Sequence, residues 1–276
     1  MKKTYGRLIL AVTLFFILFG TRSLLPATLG NESAPAVKTV FTISMDNPAS
    51  HCYQVTLSCQ GLEGTICDYK MPVWSPGYYG LFDFGGKVRA FRAEDGEGRE
   101  LKWEKTGSST WRVVTDQAES VILNYEVLAT SQFVGQSYLG EDRGYIVPAS
   151  VCMYTDELLH SPVIVKINLN PAWTTIATGL DPVSAEQAKT FFAADFDELY
   201  DSPILMGNLD SLPPFKIRGI PHYFIGYKLG NFNHQQFMNE LKAVIEAGLS
   251  IIGEIPYRHY TFLGIGPGQG GIEHLD

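Results

Sequence analysis

VKTVFTISMDNPASHCYQVTLSCQ, residues 37–60, reads as strands. Thr39, Phe41, Ile43 and Met45 fall on one side of an extended chain, and Lys38, Thr42 and Ser44 on the other. Tyr53, Val55 and Leu57 alternate in the same way. Apolar residues at every second position mark a half-buried strand, because successive side chains point to opposite faces of a sheet. The stretch therefore predicts strands with one face toward a core.

Strand signals continue outward. Residues 67–74 form another run, ended by Ser75-Pro76-Gly77. Residues 88–93 and 100–103 flank Glu94-Asp95-Gly96-Glu97-Gly98, a hairpin turn by composition. Residues 110–114, 121–128, 145–154 and 163–169 are further strands, and 183–201 is mixed, with a short helix at 186–188 or 195–200. Many short strands separated by turns predict a mainly β, sandwich-like domain, which 16 Phe, 14 Tyr, 27 Gly and 15 Pro favour over long helices. After Pro213-Pro214 the pattern changes. Residues 215–229 read as two strands broken at Gly219-Ile220-Pro221. Residues 233–252 read as a helix, with Phe237, Leu241, Val244, Ile245 and Ile252 at helical spacing. Asn231 or Asn233 can cap its start, and Gly253 and Pro256 end it. A strand at 257–264 and a glycine-rich loop through Gly271 follow. The expected division is a leader at 1–34, a β-domain at 35–213 and a second unit at 214–276, too short for a core of its own and therefore incomplete.

The leader rests on Lys2, Lys3 and Arg7 ahead of the uncharged run LILAVTLFFILF at residues 8–19. That run suits a secretory signal and falls short of the ~20 residues of a membrane span. An uncleaved signal anchor is the alternative. Export to the periplasm or outside the cell is expected, with no stable membrane span after signal removal. Residues 1–34 hold four of the 21 basic and one of the 29 acidic residues, so the remainder carries 17 against 28, a net charge of −11. Nucleic acid is excluded as a partner, since its binding rests on phosphate neutralisation. Export also makes disulfides possible among Cys52, Cys59, Cys67 and Cys152: Cys59 and Cys67 flank a turn and can bridge two strands, or all four are buried thiols.

Several chemistries find no motif. Six histidines and four cysteines show neither His-Glu-x-x-His nor Cys-x-x-Cys spacing, so no metal ligands and no catalytic residues are assigned in this chain. No Gly-x-Ser-x-Gly elbow is present, and the glycine loop lacks the Gly-Lys-Ser/Thr ending of a phosphate cradle. The acidic run 195–201 reads as a solvated, capped turn broken at Pro203. The last residues are Gly270-Gly271-Ile272-Glu273-His274-Leu275-Asp276. On an extended chain Glu273 and His274 point to opposite faces and cannot share one metal.

Five segments, in order, carry a resemblance. Met71-Pro72-Val73-Trp74-Ser75-Pro76-Gly77-Tyr78-Tyr79 resembles the PVWTPGSY stretch of the glycyl aminopeptidase family. Residues 88–93 resemble the family strand before its acidic turn. Residues 195–208 resemble its DYDELxDSPxxxGN segment, residues 252–257 its FGELPF helix end, and residues 270–274 its GGLEH motif. The likeness spans residues 37–276. Members are zinc metallopeptidases, usually with a PDZ domain near the C-terminus. The resemblance implies a saddle-like N-terminal β-domain followed by a thermolysin-like α/β catalytic domain. It implies Glu273 as the ligand of the peptide's α-ammonium, and the backbone of Gly270 and Gly271 as an edge along which the peptide lies as an added strand. A carboxylate suits an ammonium by charge-assisted hydrogen bonding, and glycine permits close approach.

The chain departs from the family in lacking the His-Glu-x-x-His helix and the later glutamate. Zinc is expected in the complete family enzyme and none bound by this chain. The expectation is the N-terminal part of an exported zinc aminopeptidase that removes Gly- or Ala-type residues from peptides, truncated before its zinc helix and inactive alone. The alternative is a short, non-catalytic exported β-sandwich protein that binds peptides or protein partners.

Overall fold

The computed structural model describes residues 36–268 and 271–274. The leader at 1–34 lies outside them, as does Gly270. The opening stretch becomes two antiparallel strands, Thr39–Ser44 and Cys52–Gln60, paired with Phe41 opposite Leu57 and Ile43 opposite Val55. Phe41, Ile43, Met45 and Tyr53 are fully buried. The other face is polar, and Thr56 hydrogen-bonds Asn124 across the strands at 2.8 Å.

These strands lie near the centre of a seven-stranded sheet in the order Asp181–Pro182, Thr190–Ala193, Val163–Asn168, Thr39–Ser44, Cys52–Gln60, Ser120–Leu128, Val88–Asp95. Only the pairing of Thr39–Ser44 with Val163–Asn168 is parallel. The apolar face shares one core with two smaller sheets. One joins Ile66–Lys70, Thr110–Val114 and Trp103–Lys105; the other joins Tyr138–Leu139, Arg143–Ile146, Ile204–Gly207 and Thr175–Thr178. Phe91 links the layers, with its ring centroid 4.8 Å from Trp103, 5.6 Å from Trp111 and 6.5 Å from Tyr125. Each such pair contributes about 0.5–1.5 kcal/mol beyond the area it buries. The fold is mainly β, as the alternation predicts.

Two of the expected runs are interrupted by a proline, which cannot donate to a ladder. The run at 145–154 stops at Ile146, and Pro148 opens a turn of 3₁₀ helix, Pro148–Ser150. The run at 67–74 stops at Lys70, ahead of Pro72, and resumes as Trp74–Ser75. All four cysteines are buried free thiols, and burial pushes Cys59 up to about 12.

The last sheet places Ile220–Tyr227 between Asp210–Ser211 and Phe215–Ile217, with Tyr260–Ile265 parallel to it. It begins ahead of Pro213-Pro214. The helix His234–Ile252 connects the two parallel strands, and Asn233 caps its start by accepting from the Gln236 N–H at 3.0 Å. This is a β–α–β unit. The small sheet covers one side of the helix: Met238 and Leu249 are buried, whereas Val244, Ile251 and Ile252 are 69%, 86% and 74% exposed. Arg258 ties the unit to the large sheet through Asp181 at 2.5 Å, and the Arg143 guanidinium lies 5.1 Å from the Tyr227 ring. No helix among the described residues is long and apolar enough to cross a membrane.

Candidate functional site

Three segments distant in sequence meet at one place. The first is the hairpin Trp74–Ser75 and Tyr78–Leu81, turned by Pro76 and Gly77. Gly77 has φ +73°, a left-handed conformation that costs a side-chain-bearing residue energy. A Cβ there would lie 2.7 Å from the Glu273 carbonyl oxygen and would overlap Cγ2 of Ile272. The hairpin tip is thus in backbone contact with the Glu273 segment.

The second is the acidic stretch, which folds as the short helix Phe196–Tyr200. Its carboxylates build the helix start. Asp195 accepts from the Glu198 N–H at 2.9 Å, and the Glu198 carboxylate accepts from the Ala194 N–H. Such reciprocal capping satisfies donors that a helix start leaves unpaired. Ser202, donating to the Glu198 carbonyl at 2.7 Å, and Pro203 close the far end. Tyr200 donates its hydroxyl to the Trp74 carbonyl, and the two rings meet edge to face at 5.8 Å. Burial raises the Tyr200 phenol well above its ordinary value, so it stays a donor.

The third is the segment at 271–274. Exposure alternates along it: Gly271 and Glu273 are exposed, Ile272 and His274 are not. The His274 side chain is 9% exposed, with Nδ1 2.7 Å from Oδ1 of Asp201, the residue that closes the acidic helix. A carboxylate only accepts, so Nδ1 carries the proton in this pair. The His274 carbonyl accepts from the Tyr260 hydroxyl at 3.4 Å. Its Nε2 is buried and has no hydrogen-bond partner among the described residues; the same is true of Ser75 Oγ. Glu273 faces the other way.

Glu273 and Gly271, two of the three residues singled out from sequence, therefore lie on an exposed edge held from behind; the third, Gly270, is outside the described residues. Sequence reasoning missed the anchors. Asp201 sits in a run that reads as a solvated turn, and nothing local signals a partner 73 residues away. His222, by contrast, is the satisfied core histidine its strand position suggests, with Nε2 2.9 Å from the Tyr257 hydroxyl and Nδ1 3.1 Å from the Ile220 carbonyl. Among the described residues no three His, Cys, Asp or Glu side chains converge to hold a metal ion. The donor set of a catalytic zinc, three protein ligands and a water, does not fit what is described of this chain.

An aminopeptidase N family protein from Idiomarina loihiensis aligns at 25% identity with a TM-score of 0.79, over 86% of this chain and 40% of its own. The chain thus spans 40% of that protein's length. The M1 zinc metallopeptidase from Deinococcus radiodurans aligns at 11% identity and TM-score 0.45, over 84% of this chain and 57% of its own. Legionella pneumophila aminopeptidase A in complex with aspartic acid aligns at 11% and 0.48, over 83% of this chain and 28% of its own. No curated protein sequence matches the chain. Residues 40–208, more than half of the 276, match the Peptidase M61 N-terminal domain, and the chain belongs to that family.

Proposed function

We propose that the chain is the N-terminal portion of an exported, glycyl-type zinc aminopeptidase, and that Glu273 takes the α-ammonium of a bound peptide. Residues 35–213 are the saddle-like β-domain in this reading, and residues 214–276 begin a thermolysin-like catalytic domain. The backbone of Gly270 and Gly271 lines the peptide. The observation that carries the reading is the convergence of the segments 74–81, 195–203 and 271–274 on one exposed carboxylate. Glu273 has no ion pair or hydrogen bond to its carboxylate among the described residues, so its charge is available to a cation. A carboxylate–ammonium contact is short and charge-assisted, and it separates a free N-terminus from a blocked one.

The zinc ligands belong elsewhere in the enzyme, since no His-Glu-x-x-His occurs in the 276 residues. The chain by itself binds peptides and does not cleave them. Titration of the chain with Gly-Ala amide and with its N-acetyl form, followed by NMR, tests this. The free amine is expected to shift the Glu273 amide at millimolar concentration and the acetylated form is not. Glu273→Gln is expected to abolish the difference. Equal responses to the two peptides would dispose of the reading.

A further inference from the structure

We propose that Asp201 and His274 form a positioning pair that sets which face of residues 271–274 presents Glu273. The inference rests on the reading of Glu273 as the ligand of the peptide amine.

In an extended segment neighbouring side chains point oppositely, so the burial of one residue dictates the exposure of the next. The His274 side chain is drawn inward by a directional bond, Nδ1–H to Asp201 Oδ1 at 2.7 Å, while its carbonyl accepts from the Tyr260 hydroxyl at 3.4 Å. Glu273 is thereby turned outward. Among the described residues its carboxylate has no anchor of its own, so its direction comes from the backbone on either side. On one side that backbone rests on Gly77, where the absence of a side chain sets the depth. On the other it is rooted through the imidazole. A slip of one residue would place the carboxylate inside and the imidazole outside.

Asp201 is a firm base for this. Its N–H donates to the Asp197 carbonyl at 3.2 Å, its neighbour Tyr200 is bonded to the Trp74 carbonyl, and Ser202 is fully buried. Its carboxylate is 26% exposed. The ring's second nitrogen has no partner among the described residues, so Asp201 is the side-chain contact that orients it. Asp201 belongs to the β-domain segment and His274 to the glycine–glutamate segment. The pair therefore links the presentation of the amine ligand to the N-terminal domain. Asp201 acts through His274 and touches no substrate.

The test uses the chain and four variants, E273Q, D201A, D201N and H274Q, with Gly-Ala amide and its N-acetyl form as probes. The readouts are the free-over-acetylated affinity ratio and the imidazole ¹⁵N shifts of His274. D201A is expected to lower the ratio about tenfold, the order of one lost hydrogen bond to a charged group, and to shift His274 away from the Nδ1–H tautomer. D201N keeps an acceptor, and H274Q a donor of similar reach; both are expected to retain most of the ratio. If D201A does not fold, D201N and H274Q carry the comparison through the same ratio. An unchanged ratio in D201A, or in both milder variants an abolished one, overturns the positioning role while loss of the ratio in E273Q leaves the Glu273 reading standing. A ratio unchanged in E273Q overturns the reading itself, and the positioning role with it.

Discussion

Gly77 lies against Glu273 so closely that a Cβ at position 77 would stand 2.7 Å from the Glu273 carbonyl oxygen. The contact joins the tip of a hairpin within the region that matches the Peptidase M61 N-terminal domain to the segment that carries the exposed carboxylate. Gly77→Ala is therefore expected to act twice. Forcing a non-glycine residue to φ +73° costs about 1–2 kcal/mol. The added carbon also pushes residues 272 and 273 outward. Denaturant unfolding should show the stability loss, and the amide resonances of Ile272 and Glu273 should move more than those of the large sheet. Unmoved resonances at 272 and 273 would mean that the hairpin does not seat this segment.

Asp195 is a helix cap by geometry, which gives its acidic neighbourhood a structural purpose. Asp195→Ala is expected to cost about 1 kcal/mol and Asp195→Asn much less, because asparagine retains the accepting oxygen. The two variants should separate by that amount in urea. Equal losses would point to the charge and away from the cap.

How much of this was legible in the sequence depends on the range of the interaction. Phe41, Ile43, Val55 and Leu57 report their own burial through period two, since a strand's faces are decided locally. The helix from His234 and its Asn233 cap are legible for the same reason. Pro148 and Pro72 were visible as residues, and their effect in shortening strands follows from the missing N–H. The meeting of Asp201 with His274 and of Gly77 with Glu273 is different. It depends on where two sheets place the ends of their strands, which no local periodicity encodes. Only the ordered set of family-like segments hinted that these stretches belong together. The exposure of Val244 and Ile252 was likewise hidden, because helical spacing shows an apolar stripe and says nothing of what covers it.

His222 predicts an acid sensitivity with a definite sign. It is fully buried, stacked on Phe215 at 5.0 Å, and its desolvation lowers its affinity for a proton despite the Ile220 carbonyl. In the unfolded chain the imidazole titrates near pH 6.5. Above that value both states are neutral and the stability is complete. As pH falls from there toward the lowered folded value, the unfolded state takes up the proton first and stability declines. His222→Gln is expected to be less stable at about pH 8, having lost the stacked ring. Its stability should then fall less steeply between about pH 7 and 5. Stability curves of the variant and the parent that run parallel through this window would assign the acid sensitivity to other groups.

The helix His234–Ile252 offers the sharpest contrast, because its apolar residues divide between two environments. Met238 is 1% exposed; Ile252 is 74% exposed. Removing a buried methionine side chain leaves a cavity as well as lost transfer energy, so Met238→Ala is expected to cost about 2–5 kcal/mol. Ile252→Ser removes as much apolar surface in name but almost none that is shielded from water, and is expected to stay within about 0.5 kcal/mol. The two variants, compared in the same denaturant series with equal m-values, measure how far the sheet covers the helix. A loss of several kcal/mol for Ile252→Ser would mean that its face is covered in solution, by residues outside those described or by a second copy. Concentration dependence of the unfolding midpoint would then separate those two, since only association between copies makes stability rise with protein concentration.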